Sequence, residues 1–490
     1  MIKLKISIRG DILMTKFVIS LIIVLNFFAI IYMVFKEKRS ANSIIAWTLF
    51  LYITPVVGFI LYMLIGRKMG KTNMFIIKDL HYKLYKSYLK ESRQQIEQKN
   101  VDNSLKNYDM IRFLAGMDYA PYREDNQIDL FTDGNEFFEE LLTCLNNAKK
   151  CINIEFYIFK NDNIGTKILK ILEEKAKSGV EVRLLYDSVG SKSLNRRSLN
   201  SFINHGGKVG EFFPSWLRII NLNMNFRNHR KIVVIDNEIG FIGGFNVGDE
   251  YLGKNPRFGY WRDTHIKFTG SSVKDLNLRF FSDWRYATKE DIDYLYDLNN
   301  DSKNVGNTGM QIVSSGPNIA DKYEIKLGYL KMIQKAKKYI YIQSPYLIID
   351  NSISDSLKMA ALSGVDVKVM IPGKGDHPFV YWANLSYAGE LLSSGVKVYH
   401  YDKNAFLHAK AVVIDDEICS IGTANMDTRS FELNFEVNAF IYSDEIAIKQ
   451  RNAFNEDLLK SNELTLNEYK NRSTYSKVKE AFSKLFSSLL

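Results

Sequence analysis

The stretch His229-Arg-Lys-Ile-Val-Val-Ile-Asp236 decides the fold, because the chain repeats its pattern as His408-Ala-Lys-Ala-Val-Val-Ile-Asp415. In each copy a lysine follows the histidine by two residues and an aspartate follows it by seven. Seventeen residues after each histidine comes an asparagine within a glycine-containing turn, Asn246 or Asn425. His-x-Lys occurs elsewhere in the chain, but only these two copies carry the aspartate and the asparagine. A matched pair of this length indicates a functional duplication rather than chance.

The apolar, β-branched residues inside each copy predict a buried strand. Strand alternation puts His229 and Lys231 on one face, and likewise His408 and Lys410. Each strand therefore offers one imidazole and one ammonium group to a common pocket. Two such sets suit covalent phosphoryl transfer, in which one histidine attacks phosphorus and the other handles the leaving-group proton.

The remaining residues of the pattern have different expected tasks. The glycine-containing turns allow close backbone approach to an oxyanion, to which Asn246 and Asn425 can donate amide hydrogens. Asp236 and Asp415 come five residues after their lysines, at the end of the strand. That position favours a structural task, such as anchoring a turn, over proton donation.

The duplication extends beyond the motif copies. The runs 149–157, 178–184 and 206–209 are matched in order and composition by 337–345, 363–369 and 395–398. Strands alternating with helices predict an α/β fold with parallel or mixed sheets and helices outside. We therefore expect two tandem α/β domains, 120–300 and 301–490, separated by the polar stretch 301–308.

Composition narrows the kind of partner. The chain has 490 residues, 46% hydrophobic content and a net charge of +10, which fits a folded protein that meets nucleic acid or anionic lipid. The three cysteines lie in apolar runs and form no metal-spaced cluster, so they read as reduced core residues. No metal site and no cofactor are expected.

The N-terminal region favours lipid over nucleic acid. The segments 17–35 and 44–66 carry no charge, and each is about long enough to span a bilayer. They predict a transmembrane hairpin over residues 1–66, with a kink at Pro55 whose freed carbonyl is satisfied within the hairpin. A cleaved signal peptide is the alternative for the first segment, but no small-x-small cleavage site follows it.

The charges around the hairpin bear on its orientation. Basic residues before the first segment and after the second together outnumber those of the connecting turn. The positive-inside bias therefore predicts that both termini and the catalytic region face the cytoplasm. The basic stretch 67–119 that follows is read either as a solvated helical linker or as a segment lying against anionic headgroups.

The two motif copies resemble the HKD motifs of the phospholipase D superfamily, a likeness that covers the chain from about residue 120 onward. The resemblance implies that the two halves meet with both histidines facing one phosphate, that His229 attacks phosphorus and that His408 protonates the leaving alcohol. It counts Asp236 and Asp415 as part of the motif.

A histidine nucleophile needs its far ring nitrogen held by an acceptor. Asp263 and Glu436 are the candidates. In the superfamily such acids reach across to the histidine of the other half, which implies that Glu436 orients His229 and Asp263 orients His408. The alternative is that both are ordinary carboxylates at the surface or the core edge. His265 lacks the aspartate and asparagine of the motif and is expected to be structural.

Within the superfamily, the run 47–67, the run 311–317 and the C-terminal run 482–490 resemble bacterial cardiolipin synthases. That resemblance implies transfer of a phosphatidyl group from one phosphatidylglycerol to another, with release of glycerol. The alternatives are a phospholipase D that hydrolyses or uses another alcohol, a basic nuclease, which the membrane segments argue against, and a non-enzymatic adaptor, which the intact His-Lys pairs argue against. The oligomeric state is not indicated.

The C-terminal tail carries an apolar stripe at helical spacing, made up of Val478, Phe482, Leu485, Phe486 and Leu489. An amphipathic helix of this kind either packs its apolar face on the catalytic core or lies in the membrane interface.

Overall fold

The fold is taken from a computed structural model that describes residues 2–37, 39, 41–67, 79–101, 105–117, 120–214, 225–290, 305–317 and 323–487. Its N-terminal part is helical and ends in one π-helical turn, Tyr62–Gly66, before the linker. The helices are α1 (Ile2–Phe35), α2 (Ala41–Ile53), α3 (Pro55–Leu61), α4 (Asp79–Val101) and α5 (Tyr108–Gly116).

One segment of this part, Leu13–Phe35 within α1, is long and apolar enough to cross a membrane. The second predicted span is not one helix, because it breaks at Thr54 into α2 and α3. The cause is Pro55, which has no N–H to give to the carbonyl of Leu51. The Asn26 amide donates to the Leu51 oxygen instead (3.3 Å) and also to the Pro55 oxygen (3.0 Å). The predicted kink at Pro55 and the pairing of its freed carbonyl with the first segment are therefore confirmed, whereas a second continuous span, and with it the transmembrane hairpin, is not.

The linker is helical where it is described. Ile96 of α4 packs against Ile111 and Ala115 of α5 in a small buried cluster. Residues 68–78 and 102–104 lie outside the described part of the chain, so the choice between a solvated linker and a headgroup-bound segment stays open.

The first half alternates strands and helices before it ends in a meander and a long helix. Its elements are β1 (Arg123–Asp133), α6 (Gly134–Asn147), β2 (Cys151–Phe156), α7 (Asn163–Lys177), β3 (Glu181–Asp187), α8 (Arg196–Asn204), β4 (Lys208–Phe212), β5 (Arg227–Asn228), β6 (Lys231–Ile235), β7 (Ile239–Gly243), β8 (Tyr260–Thr269) and α9 (Ser272–Thr288). Aspartates cap several of these helices: Asp133 accepts from Asn135 N at 2.7 Å and begins α6.

The second half repeats this order and adds a C-terminal extension. Its elements are β9 (Thr308–Ser315), α10 (Glu324–Lys335), β10 (Tyr339–Gln343), β11 (Leu347–Ile348), α11 (Asn351–Leu362), β12 (Asp366–Pro372), α12 (Pro378–Leu392), β13 (Lys397–Tyr401), β14 (Ala405–Leu407), β15 (Ala411–Ile414), β16 (Ile418–Gly422), β17 (Met426–Asp427), α13 (Thr428–Glu432), β18 (Asn434–Tyr442), α14 (Asp444–Leu458), β19 (Asn462–Leu464), α15 (Leu466–Lys470) and α16 (Thr474–Ser487).

The two halves build sheets with the same strand order. The first sheet runs β1-β8-β7-β6-β2-β3-β4, and the second runs β9-β18-β16-β15-β10-β12-β13. In both, the three strands connected through helices are parallel and the others antiparallel. The predicted mixed α/β duplication is confirmed. The boundary predicted at 301–308 begins with residues 301–304, which lie outside the described part.

The sheets pack face to face. Alternate residues of the motif strands, such as Ile232 and Val234 from β6 and Val413 from β15, share one core between the sheets. Their neighbours Val233 and Ile235 pack outward on α6 and α7. The motif strands are thus buried on both faces, which fixes the position of the histidine that precedes each of them.

The apolar stripe of the C-terminal helix does not pack on the catalytic core where it is described. In α16 the apolar side chains of Val478, Phe482 and Leu485 are exposed, while Glu480 and Ser483 are buried. The prediction that the apolar face packs on the catalytic core is therefore wrong for these residues. The Phe486 side chain and Leu489 lie outside the described part.

Candidate active site

A short strand just before each motif histidine pairs with a strand of the other half. β5 runs parallel to β18, and the backbone N–H of His229 donates to the Phe435 oxygen at 2.9 Å. In the equivalent place β14 runs parallel to β8, and the N–H of His408 donates to the Arg262 oxygen at 2.7 Å. Each histidine is therefore held beside the residue that precedes the other half's candidate carboxylate.

This pairing brings the carboxylates to the histidines. The Nδ1 atom of His229 lies 3.0 and 2.9 Å from the two carboxylate oxygens of Glu436. The Nδ1 atom of His408 lies 2.5 Å from Oδ2 of Asp263. Both carboxylates are fully buried. With Nδ1–H donating to a carboxylate, Nε2 of each ring keeps its lone pair for chemistry.

The lysines complete the two sets. The Lys231 ammonium donates to the His229 backbone oxygen at 2.7 Å. The Lys410 ammonium lies 2.8 Å from Nδ1 of His408 and also contacts the His408 backbone oxygen. Burial is the main cause of the lowered pKa of both histidines. In addition, the charge of Lys231 lowers the pKa of His408, and the charge of Lys410 lowers the pKa of His229. The two motif copies therefore share one electrostatic environment.

Burial sets the charge states of the histidines and lysines. It lowers the pKa of His229 and of His408 to about 4, in each case against the pull of the paired carboxylate. It also lowers the pKa of Lys231 to about 7 and that of Lys410 to about 8. Near neutral pH both imidazoles are uncharged, and Lys231 is close to half protonated.

The carboxylates stay ionised. Burial alone would raise the pKa of Glu436, but His229 and Lys231 outweigh it and hold that pKa below its usual range. In the same way Lys410 and His408 hold the pKa of Asp263 low. The site thus contains two anions and two titratable cations, a balance that a bound phosphate would shift toward the protonated forms.

The aspartates of the motif anchor turns. The Asp236 carboxylate accepts hydrogen bonds from the backbone N–H groups of residues 149–151, at 2.6 to 3.1 Å. The Asp415 carboxylate does the same for residues 337–339, at 2.7 to 2.9 Å. These contacts support the structural interpretation, because each carboxylate holds the backbone at the start of β2 or β10. The inclusion of Asp236 and Asp415 among the catalytic residues, which the resemblance implies, stays a prediction.

The two asparagines differ from each other. The Asn246 side chain accepts from the Ile158 N–H at 3.1 Å and donates to the Tyr251 hydroxyl at 3.1 Å, so its groups are largely engaged in holding the fold. Asn425 is buried, and its side-chain oxygen has no hydrogen-bond partner within the described residues. A phosphate oxygen accepts hydrogen bonds, so it would be engaged by the NH2 group of either side chain, and Asn246 spends only one of its two N–H bonds on Tyr251.

Two buried arginine–aspartate pairs support the site. Arg230 is bound by Asp283 of α9 (2.9 and 2.7 Å) and donates through Nε to the Glu436 backbone oxygen at 3.1 Å. Arg262 is bound by Asp457 of α14 at 2.8 Å and contacts the backbone oxygen of Asp263. Each arginine therefore holds the backbone of a carboxylate that faces a histidine.

Neither of these arginine–aspartate pairs was predicted from the sequence. Asp283 follows Asp263 by 20 residues and Asp457 follows Glu436 by 21. This repeated spacing, together with an acidic residue on an otherwise apolar helix face, was the available signal.

Aromatic rings cover both imidazoles. The ring centroid of Tyr157 lies 4.9 Å from that of His229, and that of Trp261 lies 5.2 Å from that of His408. These contacts keep water from the rings and contribute to the lowered pKa values. His265, by contrast, packs at a tilt against Phe137 inside the core, with ring centroids 4.2 Å apart, and burial lowers its pKa to about 3.

Among the described residues, no group of three or more His, Cys, Asp or Glu side chains is placed to hold a metal ion.

Comparison with known families agrees with this geometry. The sequence matches the family described as "Cardiolipin synthase, PLD-like domain" over residues 141–256 and 329–458. It matches "Phospholipase_D-nuclease N-terminal" over residues 24–67. Both motif copies fall within the first match.

Similar proteins are known over nearly the whole length. A cardiolipin synthase of Staphylococcus aureus is 50% identical over 474 residues, which are 95% of each chain. The major cardiolipin synthase ClsA of Bacillus subtilis is 47% identical over 481 residues, 97% of this chain and 99% of that one. The crystal structure of a phosphatidylserine synthase of Haemophilus influenzae shares the fold, with a TM-score of 0.59 at 16% identity over 77% of this chain and 97% of that one. The chain belongs to the cardiolipin synthase family of phospholipase D-like enzymes.

Proposed function

We propose that this enzyme is a membrane-bound phosphatidyltransferase that condenses two phosphatidylglycerol molecules into cardiolipin and glycerol through a phosphatidyl-histidine intermediate. The observation that carries the proposal is the pair of histidines, each presented by one half and bound through Nδ1 to a carboxylate of the other half. The family's named activity supplies the substrate class. We assign the catalysis to two domains, 120–300 and 301–490, which meet at the site.

The first step forms the covalent intermediate. Nε2 of His229 attacks the phosphorus of the donor lipid, so that an N–P bond forms and the P–O bond to the headgroup glycerol breaks. His408, protonated when the anionic phosphate binds and raises its pKa, gives its Nε2 proton to the departing glycerol oxygen. Glu436 stabilises the positive charge that develops on His229.

The second step releases the product. Neutral His408 removes the proton from the glycerol hydroxyl of a second phosphatidylglycerol, whose oxygen attacks the phosphorus as the N–P bond breaks. His229 returns to its neutral form and His408 to its protonated form, so that each turnover yields one cardiolipin and one glycerol. Charge at phosphorus is neutralised by Lys231 and Lys410, with Asn425 as an amide donor and Asn246 in a supporting place.

The membrane topology is part of the proposal. We place α1 across the bilayer, with α2 and α3 forming the return segment of a two-helix hairpin, so that the protein is multi-pass. The basic residues outside the hairpin then put the catalytic halves in the cytoplasm. The buried cluster of Met33, Trp47, Leu51 and Tyr62 supports this arrangement, because it ties the return segment to α1.

Reconstituted enzyme should convert phosphatidylglycerol into cardiolipin and glycerol in equal amounts, with EDTA present throughout. The lysines supply the positive charge at phosphorus, so no divalent ion is needed. The measurement is quantitative lipid chromatography together with a glycerol assay on proteoliposomes that contain labelled phosphatidylglycerol.

Phosphatidic acid as the main product would support the alternative, a phospholipase D that hydrolyses its lipid or uses another alcohol. Activity lost with EDTA and restored by one particular divalent ion would contradict the metal-free site. Enzyme with both histidines replaced is the blank for each assay.

The pH profile should report the charge of Lys231. Because its pKa is lowered to about 7, its ammonium form is present below that pH and is lost above it. We expect kcat/KM to fall more steeply above about pH 7, where Lys231 loses its charge, than between about pH 4 and 7, where only the proton taken up by His408 is lost from the free enzyme. It should fall again on the acid side as His229 is protonated near its pKa of about 4. Initial rates on short-chain phosphatidylglycerol between about pH 4 and 10 measure both limbs.

The matched variant is Lys231→Arg, because a guanidinium keeps its charge throughout this range. Its maximal rate is expected to be lower, but its alkaline limb should move to higher pH by at least about one unit. An unchanged alkaline limb in this variant would show that another group controls it.

A further inference from the structure

Helix α16 presents its apolar side chains to the outside. Its large exposed residues are Tyr475 at 67%, Val478 at 61%, Phe482 at 60% and Leu485 at 67%. The buried residues on its opposite face are polar, with Glu480 at 2%, Ser483 at 4% and Ser487 at 3%. A helix that packs on a soluble core shows the reverse arrangement.

The polar face is held in place by specific contacts. The Glu480 carboxylate accepts from Arg472 at 2.8 Å and from the Tyr469 hydroxyl at 3.2 Å. Ser487 lies 3.2 Å from the Tyr387 hydroxyl of α12. The orientation of α16 is therefore fixed by its own hydrogen bonds, and exposure of its apolar stripe is a consequence of that docking.

Helix α16 packs against α12, whose first residues follow Asp376. The two helices lie side by side, with the Lys479 ammonium 4.9 Å from the centre of the Trp382 ring and Lys484 bound to Glu390 further along. Helix α12 begins next to Asp376, which accepts from the Tyr346 hydroxyl at 2.5 Å and raises the pKa of the buried Lys410 against its desolvation.

The first turn of α12 continues the surface. Phe379, Val380 and Tyr381 are each partly exposed there. Exposed or partly exposed apolar side chains thus occur both on α16 and on the end of α12 that follows Asp376.

Charge surrounds the apolar surface in the way that an anionic bilayer requires. Lys477, Lys479 and Lys484 lie on α16 beside the apolar stripe, and Lys358 of α11 is close enough to lower the pKa of Lys484 after partial burial. On the same helix α11, Met359 and Leu362 are 67% and 74% exposed. Apolar residues flanked by lysines favour insertion among acyl chains with the ammonium groups at the phosphates.

We propose that the outward face of α16, with the first turn of α12, inserts into the interface of an anionic phospholipid bilayer and holds the active-site mouth against it. Both lipids can then reach the histidines while their acyl chains stay in apolar surroundings. The inference rests on the proposed function only in taking the substrates to be bilayer lipids.

Replacing Val478 and Phe482 together with serine tests the proposal in the full-length reconstituted protein. We expect the rate on phosphatidylglycerol vesicles to fall at least about tenfold more than the rate on monodisperse short-chain phosphatidylglycerol. The melting temperature is measured on the same preparations, and Val478→Ser alone, at a residue 61% exposed, should change it by less than about 2 °C. Leu459→Ser, at a residue 89% exposed on the end of α14, is the control and should affect both substrates equally. Equal losses on both substrates in the double variant would overturn the proposal.

A fluorescent probe gives a second readout that does not depend on activity. An environment-sensitive dye on Val478→Cys, with Cys151 replaced by alanine and Cys144 and Cys419 buried, should shift to the blue in anionic vesicles but not in detergent. A shift in detergent that grows with protein concentration would assign the face to a second copy of the chain, and no shift in vesicles would assign it to solvent. Either result overturns the proposal. Failure of the proposed function would appear separately, as the absence of cardiolipin among the products of the unaltered enzyme.

Discussion

Alanine at His229 or at His408 is expected to lower the rate of cardiolipin formation by more than about a thousandfold. Each histidine does a different part of one reaction, since one forms the bond to phosphorus and the other moves the proton. Loss of either removes the shared path, so the double variant should be no slower than the single variants. Initial rates on reconstituted enzyme measure the effect, and His205→Ala, which changes a partly exposed histidine on the first half, is the matched control.

The roles of the two histidines can be separated with a better leaving group. A phosphatidyl ester of p-nitrophenol needs no proton for departure, so His408→Ala should still release a burst of nitrophenolate and retain labelled lipid after denaturation in SDS at neutral pH, where the N–P bond survives. His229→Ala should do neither. The reverse pattern would exchange the two roles, and near-normal turnover of either variant on phosphatidylglycerol would contradict the mechanism itself.

Much of this site could be predicted from the sequence because the duplication is visible as a short repeated pattern of residues. Two copies of one strand, each with His and Lys on the same face, imply two equivalent contributions to one pocket. The pairing of Glu436 with His229 and of Asp263 with His408 came from the family resemblance, and the structure contains both contacts. Nothing local in the sequence says which carboxylate crosses to which histidine, since that depends on how β5 and β14 pair with the opposite half.

Other features escaped prediction because they arise only after packing. Asn246 and Asn425 look equivalent in sequence, but Tyr251 engages one of them and not the other. The apolar stripe of α16 has the spacing of a core-packed helix, but hydrogen bonds to Glu480 turn it outward. Helical periodicity fixes which residues share a face, and only the surrounding contacts decide which face is buried.

Removing the charge of the orienting carboxylates, with Glu436→Gln and Asp263→Asn, is expected to lower kcat by about a hundredfold to ten-thousandfold. The amide keeps the size of the side chain but can donate as well as accept. It therefore no longer enforces Nδ1–H on the facing histidine, and it does not stabilise the imidazolium that forms during attack. Rates and melting temperatures measured on the same preparations separate lost chemistry from lost stability, and Asp416→Asn is a control on a carboxylate that pairs with Arg451 at the far end of β15.

The pH profile distinguishes this electrostatic role from simple damage to the site. Glu436 opposes the effect of burial and raises the pKa of Lys231, so its neutralisation should lower that pKa further. The alkaline limb of kcat/KM in Glu436→Gln is then expected below the limb near pH 7 of the unaltered enzyme, the opposite direction from Lys231→Arg. The Asp263→Asn variant should act in the same sense on Lys410, whose pKa is about 8 and is raised by Asp263. A loss of rate with an unmoved alkaline limb would mean that the carboxylates only position the rings. Opposite shifts of that limb in Glu436→Gln and Lys231→Arg would mean that the charges of His229, Glu436 and Lys231 are coupled.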